Sequence, residues 1–496
     1  MVCLMERISA SFLPPIALDS SPKNPIYRQL YEWFRQAIIA GQLQPGQRVP
    51  STRNLAAELK ISRISVSSAY EQLQAEGYLE TFVGAGTCVA KSIPDEAFRA
   101  IGKRSHISEP ALRSEAPRRI SSRVASMRVK PQTWSNSLVA FRMSLPALEE
   151  FPIDVWSKLV NRHSRSQTRQ LMAYGDAMGH WPFREAIAEY LGAVRAVRCE
   201  PSQILVTTGS QQGIQLSAQV LLDVDRQVWF EEPGYPGARQ ALRMAGAQMV
   251  PVPVDDEGLN VKEGIRRAGK AQAVYITPSH QYPLGMTMSA SRRMLLLSWA
   301  AHTGAWIIED DYDSEFRFGA RLISSLQGLD ISARVIYVGT FSKVMFPALR
   351  LGYVVVPKDL VEAFSTVRDA SDQFSSTLYQ AVMTAFIRGG HFARHIRRMR
   401  MLYMERRAAL VEAIQNQLGN KLEIVGSEAG MHLVALLPQG VSDIAVAKKA
   451  AKIGISAMPL SSCYLNRTIR PGLILGYGGT DPQQIRDGVR KLATLI

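Results

Sequence analysis

At 496 residues the chain is too long for one ordinary domain, and its 46% hydrophobic and 20% charged residues suit a globular protein with substantial cores. No run approaches the roughly 20 uninterrupted apolar residues of a membrane span. The opening MVCLMERISASFLPP has no basic stretch followed by an apolar core, so no secretory signal is read and a cytoplasmic location is expected. The net charge of +15 invites a nucleic-acid reading that charge alone does not decide.

The charge is concentrated at the front, where residues 1–135 carry 18 Lys and Arg against 11 Asp and Glu, and 92–135 alone carry 9 against 4. Cys3, Cys88, Cys199 and Cys463 lie far apart without metal-ligand spacing and read as ordinary reduced thiols.

In chain order, residues 20–91 form a first small unit. A helix is expected from Pro25 to Gly41, with Leu30, Phe34, Ala37 and Ile38 at offsets 0, 4, 7 and 8 on one face. After the turn LQPGQRVPS, Ser51 offers a cap for a second helix that turns Leu55 and Leu59 inward. Ser62 caps a third, where Val66, Ala69, Tyr70 and Leu73 repeat the helical face and Gly77 ends it. YLETFVGAGTCVA reads as two strands around a Gly84-Ala85-Gly86 tip. A short helix, a tight turn and a longer helix with a polar N-terminus make a helix-turn-helix, which would place Arg63 and Ser65 near base edges or phosphates. The competing reading is a helical docking domain with charged solvent faces.

Residues 92–135, rich in Ser, Pro and Arg, read as a flexible basic linker. From 136 to 496, apolar runs such as QILVTTG, QVWFEEPGY, AVYITPS, AWIIEDDY, VIYVGTFSK and LGYVVVP alternate with helical patterns. Strands of that kind look buried and parallel, which predicts an α/β domain.

The strand ends carry a coherent set of side chains. Thr208-Gly209-Ser210-Gln211 opens a helix, where backbone N–H groups suit a phosphate. Tyr235 offers an aromatic face, and Asp310 and Asp311 close an apolar strand. Lys343 follows another strand with Thr340 and Ser342 beside it, and Arg350 adds a cation suited to phosphate. Pyridoxal phosphate (PLP) needs a lysine for its aldehyde, a carboxylate for its ring nitrogen, a phosphate cradle and a stacking ring. Each signal alone is weak, but the ordered set is not.

The pattern G-x-L-x-P-G, P-S-x-R-x-L-A, S-R and V-x-x-A-Y-x-x-L-x-x-E-G resembles the GntR-type winged helix-turn-helix nearly end to end. That resemblance implies DNA contacts from Arg53, Ser62, Arg63, Ser65 and the wing glycine Gly86. From about Phe141 onward, stretches such as YGDAMGHWPFREAIAEYL, EEPGYPG, TPSHQYPLG and GTFSKVMFPALRLGY resemble fold type I PLP enzymes. The whole chain is most similar to the MocR family, which joins a GntR-type head to that fold, with a mostly parallel sheet and a smaller C-terminal α+β subdomain. The resemblance implies a Lys343 aldimine and Asp310 on the pyridine nitrogen. It also implies Tyr312 on the ring hydroxyl, Tyr235 stacked on the ring, and Ser210, Gln211, Thr340, Ser342 and Arg350 on the phosphate. It further implies double-stranded DNA with repeated half-sites as partner, and a homodimer, head to tail.

Two departures bear on activity. Enzymes of this fold usually place a carboxylate-binding arginine in a late strand, where this sequence has Ile474 in GLILGYGGT, with Arg467 or Arg470 as conceivable substitutes. The turn that usually supplies an asparagine reads Tyr282-Pro283-Leu284-Gly285. These favour a regulator that senses PLP, alone or with an amine or amino acid, over an aminotransferase with an appended head, although a residual half-reaction is compatible with Lys343. His391 and His395, four apart in an Arg-rich run, lack the acidic or thiol companions of a metal site, so no metal is expected.

Overall fold

The computed structural model describes residues 16, 18, 24–82, 86–92, 120–121, 124–125, 139–166, 168–318, 324–426, 428–466, 468 and 470–496. The chain divides into two compact units, Met1–Arg119 and Ile120–Ile496. The expected linker, 92–135, falls almost wholly outside the described residues.

In the first unit, α1 (Ile26–Ile39) buries Leu30, Phe34, Ala37 and Ile38, the face its spacing predicts. Ser51 accepts a hydrogen bond from the Asn54 N–H at 3.2 Å to cap α2 (Thr52–Leu59), which ends on Lys60 in the left-handed region, φ 54°. Ser62 caps α3 (Arg63–Ala75) by accepting from the Ile64 N–H at 3.2 Å, and Val66, Ala69, Tyr70 and Leu73 are all buried. Phe34 meets Tyr70 edge to face at 5.3 Å, tying α1 to α3. Strands β1 (Leu79–Phe82) and β2 (Gly86–Val89) pair antiparallel, with Phe82 opposite Gly86. The tip residues 83–85 lie outside the described residues.

The second unit centres on an eight-stranded sheet. Its strands are β3 (Ile204–Thr207), β4 (Gln227–Glu232), β5 (Gln248–Asp255), β6 (Gly258–Leu259), β7 (Ala273–Ile276), β8 (Trp306–Asp311), β9 (Val335–Thr340) and β10 (Gly352–Val355), in the spatial order β3-β10-β9-β8-β7-β4-β5-β6. The pairs β9–β8, β8–β7, β7–β4 and β4–β5 are parallel, as the apolar runs predict. LGYVVVP departs from that expectation, because it forms β10, antiparallel to both β3 and β9. Its four residues are buried on both faces, and a continuous apolar run reports two-sided burial rather than strand direction.

The long helices are α4 (Ile153–Ser166), α5 (Trp181–Arg195), α6 (Ser210–Leu221), α7 (Pro236–Met244), α8 (Val261–Ala268), α9 (Ala290–Thr303), α10 (Val361–Asp372), α11 (Thr377–Arg388), α12 (His391–Leu418), α13 (Asp443–Lys452) and α14 (Pro482–Ala493). Side chains alternate across the sheet. Phe230, Ile308 and Val338 pack with Ile214 and Leu242 of α6 and α7, while Trp229, Ile307 and Val335 pack with Leu296 and Ala300 of α9. The expected C-terminal subdomain is a four-stranded sheet of β11 (Glu423–Val425), β12 (His432–Leu436), β13 (Met458–Pro459) and β14 (Gly472–Gly476), in the order β11-β12-β14-β13.

The Ser51 cap can be tested directly. Ser51→Ala is expected to lower the stability of the first unit by about 1 kcal/mol, read as a shift in its urea midpoint with unchanged slope. An unaltered midpoint would remove the cap from the account of α2.

Candidate functional site

One pocket opens at the carboxyl ends of β3, β4, β7, β8 and β9, the edge at which parallel sheets present ligand sites. Its lining includes Ser210, Gln211, Tyr235, Asp310, Tyr312, Thr340, Ser342, Lys343 and Arg350, so all nine expected residues meet in one place. Ser144, Gly209, Tyr275, Thr277 and Tyr282 complete it.

The end of the pocket at Gly209 combines close-packed backbone with the Arg350 and Ser342 side chains. Gly209 has φ 128°, which lets the chain turn from β3 directly into α6. A Cβ on Gly209 would lie 3.5 Å from Arg350 Nη1, and one on Gly352 would lie 2.8 Å from Gly209 Cα. Arg350, itself left-handed at φ 51°, therefore lies over the N-terminus of α6, where free N–H groups and the helix dipole favour an anion. Ser342 Oγ is buried and has no protein hydrogen-bond partner. The Gln211 side chain is otherwise engaged, donating to the Gly237 carbonyl at 2.8 Å beside Tyr235.

At the other end stands the carboxylate pair of β8. Strand alternation sends Asp310 and Asp311 to opposite sides. Asp311 takes Arg195 at 2.7 Å and the Tyr337 hydroxyl at 2.5 Å. Asp310 faces the pocket, where Tyr275 donates to its Oδ2 at 2.7 Å, while Oδ1 is buried without a protein partner. Burial pushes the Asp310 carboxyl up to about 7, against the Tyr275 hydrogen bond. Burial likewise lowers the Lys343 amine to about 8, although Asp313 and Asp310 lie near enough to oppose it. Behind the pocket, burial raises Glu231 to about 8, and Thr277 donates to it at 2.6 Å. Tyr312 Oη and Asp313 Oδ1 both lie 3.0 Å from His280 Nδ1.

These features suit the group that the lysine and carboxylate imply. An orphaned buried carboxylate oxygen can meet a protonated ring nitrogen. An orphaned hydroxyl, a guanidinium and a helix N-terminus can hold a phosphate.

Tyr275, Thr277 and Ser144 were not singled out from sequence. Tyr275 shows as the one hydroxyl-bearing residue inside the apolar run AVYI, whose strand neighbours β8. Ser144, with φ 64°, carries no sequence signal. Ile474 is fully buried in an apolar cluster, and Arg470 pairs with Glu423 at the surface, 2.7 Å away. Arg467 lies outside the described residues.

On the first unit, Arg53 and Arg63 are exposed at the starts of α2 and α3. The Ser62 hydroxyl is occupied by its cap, Ser65 is half-buried, and Gly86 has φ 87°. Ile64, 77% exposed at the first turn of α3, is a large apolar side chain that was not picked out from sequence. In the Arg-rich helix α12, His395 bonds the Val344 carbonyl at 2.9 Å, Arg398 pairs with Glu150, and Arg406 pairs with Glu149. Those side chains serve the packing of their own unit.

Comparison with known proteins agrees with this division. Residues 26–89 match the model of bacterial regulatory proteins of the gntR family, and 144–491 match aminotransferase class I and II. The chain is 40% identical, over 96% of its length and 95% of the relative's, to the probable rhizopine catabolism regulatory protein MocR of Rhizobium meliloti. It is 30% identical, over 95% and 96%, to the pyridoxine biosynthesis transcriptional regulator PdxR of Corynebacterium glutamicum. Among solved structures, it is similar to the alpha-aminoadipate aminotransferase LysN of Thermus thermophilus, complexed with N-(5'-phosphopyridoxyl)-L-leucine (TM-score 0.71, 27% identity, 76% of this chain and 96% of that one). The chain belongs to the MocR-like helix-turn-helix transcriptional regulators, which join a gntR-type head to an aminotransferase class I and II domain.

Proposed function

We propose that this regulator holds PLP through Lys343 and uses it, alone or with a small amine-bearing ligand, as the effector that sets DNA binding. The observation that carries this reading is the convergence of Lys343, Asp310, Ser342 and Arg350 in one pocket, with Asp310 Oδ1 and Ser342 Oγ buried and unpartnered. A relative named for pyridoxine biosynthesis and a neighbour solved with a phosphopyridoxyl ligand support it. PLP, when bound, supplies an aldehyde that reacts with primary amines and a ring that withdraws electrons.

The chain's own residues do the rest. Lys343 presents an amine whose burial keeps a useful fraction neutral near pH 7. Asp310 holds a ring N–H, Tyr275 orients Asp310, and Tyr235 covers a ring face. Gly209, Ser210, Ser342 and Arg350 fix the phosphate. Tyr312, braced by His280, would meet the ring hydroxyl.

At the head, Arg63 and Arg53 contact DNA, with Ser62, Ser65 and Gly86 at the same surface. Repeated half-sites call for a homodimer. A ligand shifts such a dimer only through different affinities for its two states.

Three outcomes are expected. The wild-type protein with PLP shows the visible band of the lysine-bound cofactor, and Lys343→Ala abolishes it; a persisting band moves the attachment elsewhere. The rate of PLP capture by the apoprotein rises with pH, because only the neutral amine reacts. Its midpoint lies near the lowered value of about 8, whereas a midpoint at an ordinary lysine's position would refute the buried-amine account. Arg63→Ala weakens operator binding and flattens the log–log salt dependence by about one charge; binding that is unchanged at every salt concentration removes α3 as the reading helix.

A further inference from the structure

The described lining of the pocket contains two cations, Lys343 and Arg350. Arg350 lies over Gly209 at the start of α6, so guanidinium and helix N–H groups together make one anion subsite. The phosphate of the proposed cofactor would fill that subsite, leaving Lys343 for the aldehyde.

The wall around Tyr282 has different chemistry. Tyr282 packs with Val434, Leu436, Leu460, Cys463 and Ile474 in one buried cluster. Ile474 is fully buried in β14, opposite Val434 of β12 and Met458 of β13. The Tyr282 hydroxyl spends its hydrogen bond on Met458 Sδ at 3.6 Å, a weak acceptor that a better one can replace. Two described arginines from adjoining segments have other tasks. Arg470 pairs outward with Glu423, and Arg239 donates to the carbonyls of Tyr464 and Ser462 at 2.9 and 3.0 Å.

A carboxylate brought against this wall loses its water and meets apolar carbon and neutral hydroxyls. An unpaired buried charge is strongly disfavoured, whereas a neutral hydroxyl exchanges water for Ser144 or Tyr282 at little cost. We infer that the pocket's second ligand is a primary amine with an uncharged body, hydroxyl-bearing or apolar, and not an amino acid, because among the described residues Tyr282 and the apolar cluster behind it, with Ile474, supply no cation for a carboxylate. This inference rests on the cofactor reading and narrows the effector class that reading leaves open.

The test uses the full-length, PLP-loaded protein and matched pairs that differ only at the carboxylate: alaninol against alanine, and 2-aminoethanol against glycine. Each ligand is titrated while the visible cofactor band and the thermal midpoint are followed. The amino alcohol is expected to reach half-saturation at about tenfold lower concentration or better. Ile474→Arg is expected to narrow or reverse that preference; should this variant not fold, the wild-type pairs decide alone. Amino acids that bind as well as or better than their alcohols would overturn the inference, as would a loaded protein whose band and midpoint no amine moves. Amino-acid binding that is lost in Arg467→Ala would also overturn it, by identifying a clamp. A wild-type protein that develops no cofactor band is a different failure, that of the reading beneath.

Discussion

Two adjacent carboxylates buried at the end of β8 have to be satisfied in a place with little water, and the second unit is arranged around that demand. A strand sends consecutive side chains to opposite faces. Asp311 is neutralised by Arg195, which comes from α5, and by the Tyr337 hydroxyl from the next strand. Asp310 receives one hydrogen bond from Tyr275 and keeps an open oxygen toward the pocket. The first carboxylate thereby ties a helix to the sheet. The second is left under-satisfied, at a cost that a cationic ring nitrogen would relieve. Lys343, on the neighbouring strand end, shares the same desolvated space, so burial moves its amine and the Asp310 carboxyl toward each other in pKa. Groups brought together in this way are typical of functional sites.

The pocket is uneven in what it offers. Its phosphate-sized end is rigid, because Gly209 and Gly352 are in close backbone contact there and leave no room for a side chain. Elsewhere its lining residue Tyr282 backs onto a packed apolar cluster that holds Ile474. Among the described residues such a site offers one anion subsite, at Arg350 and the start of α6, beside neutral surroundings at Tyr282.

Legibility in the sequence followed the range of the forces involved. Caps and helical faces of the head depend on residues three or four apart, and Ser51, Ser62, Leu30, Phe34, Val66 and Tyr70 all behave as that spacing predicts. Strand-end residues such as Lys343 and Asp310 were legible because each sits in a distinctive local run. Tyr275 and Ser144 were not, since their importance arises from a neighbouring strand and from a backbone twist. The direction of β10 was hidden for a related reason: LGYVVVP has the same apolar run whichever way the strand points. The Arg-rich run of α12 carries no local signal for what its arginines touch. Only packing shows Arg398 and Arg406 bound to Glu150 and Glu149.

The pocket with which the second unit presents Lys343 is thus a product of both levels. Sequence by itself determined the helix-turn-helix head, the α/β character of the remainder and the identity of the groups bearing chemistry, because periodicity, caps and strand-end motifs are local. Tertiary structure decided how Asp310 and Asp311 are each satisfied, how Arg350 comes to lie over Gly209 and what became of Ile474. Those outcomes depend on strand alternation, on a left-handed Arg350 and on packing between segments nearly two hundred residues apart, such as Tyr282 and Ile474. No short-range pattern encodes them.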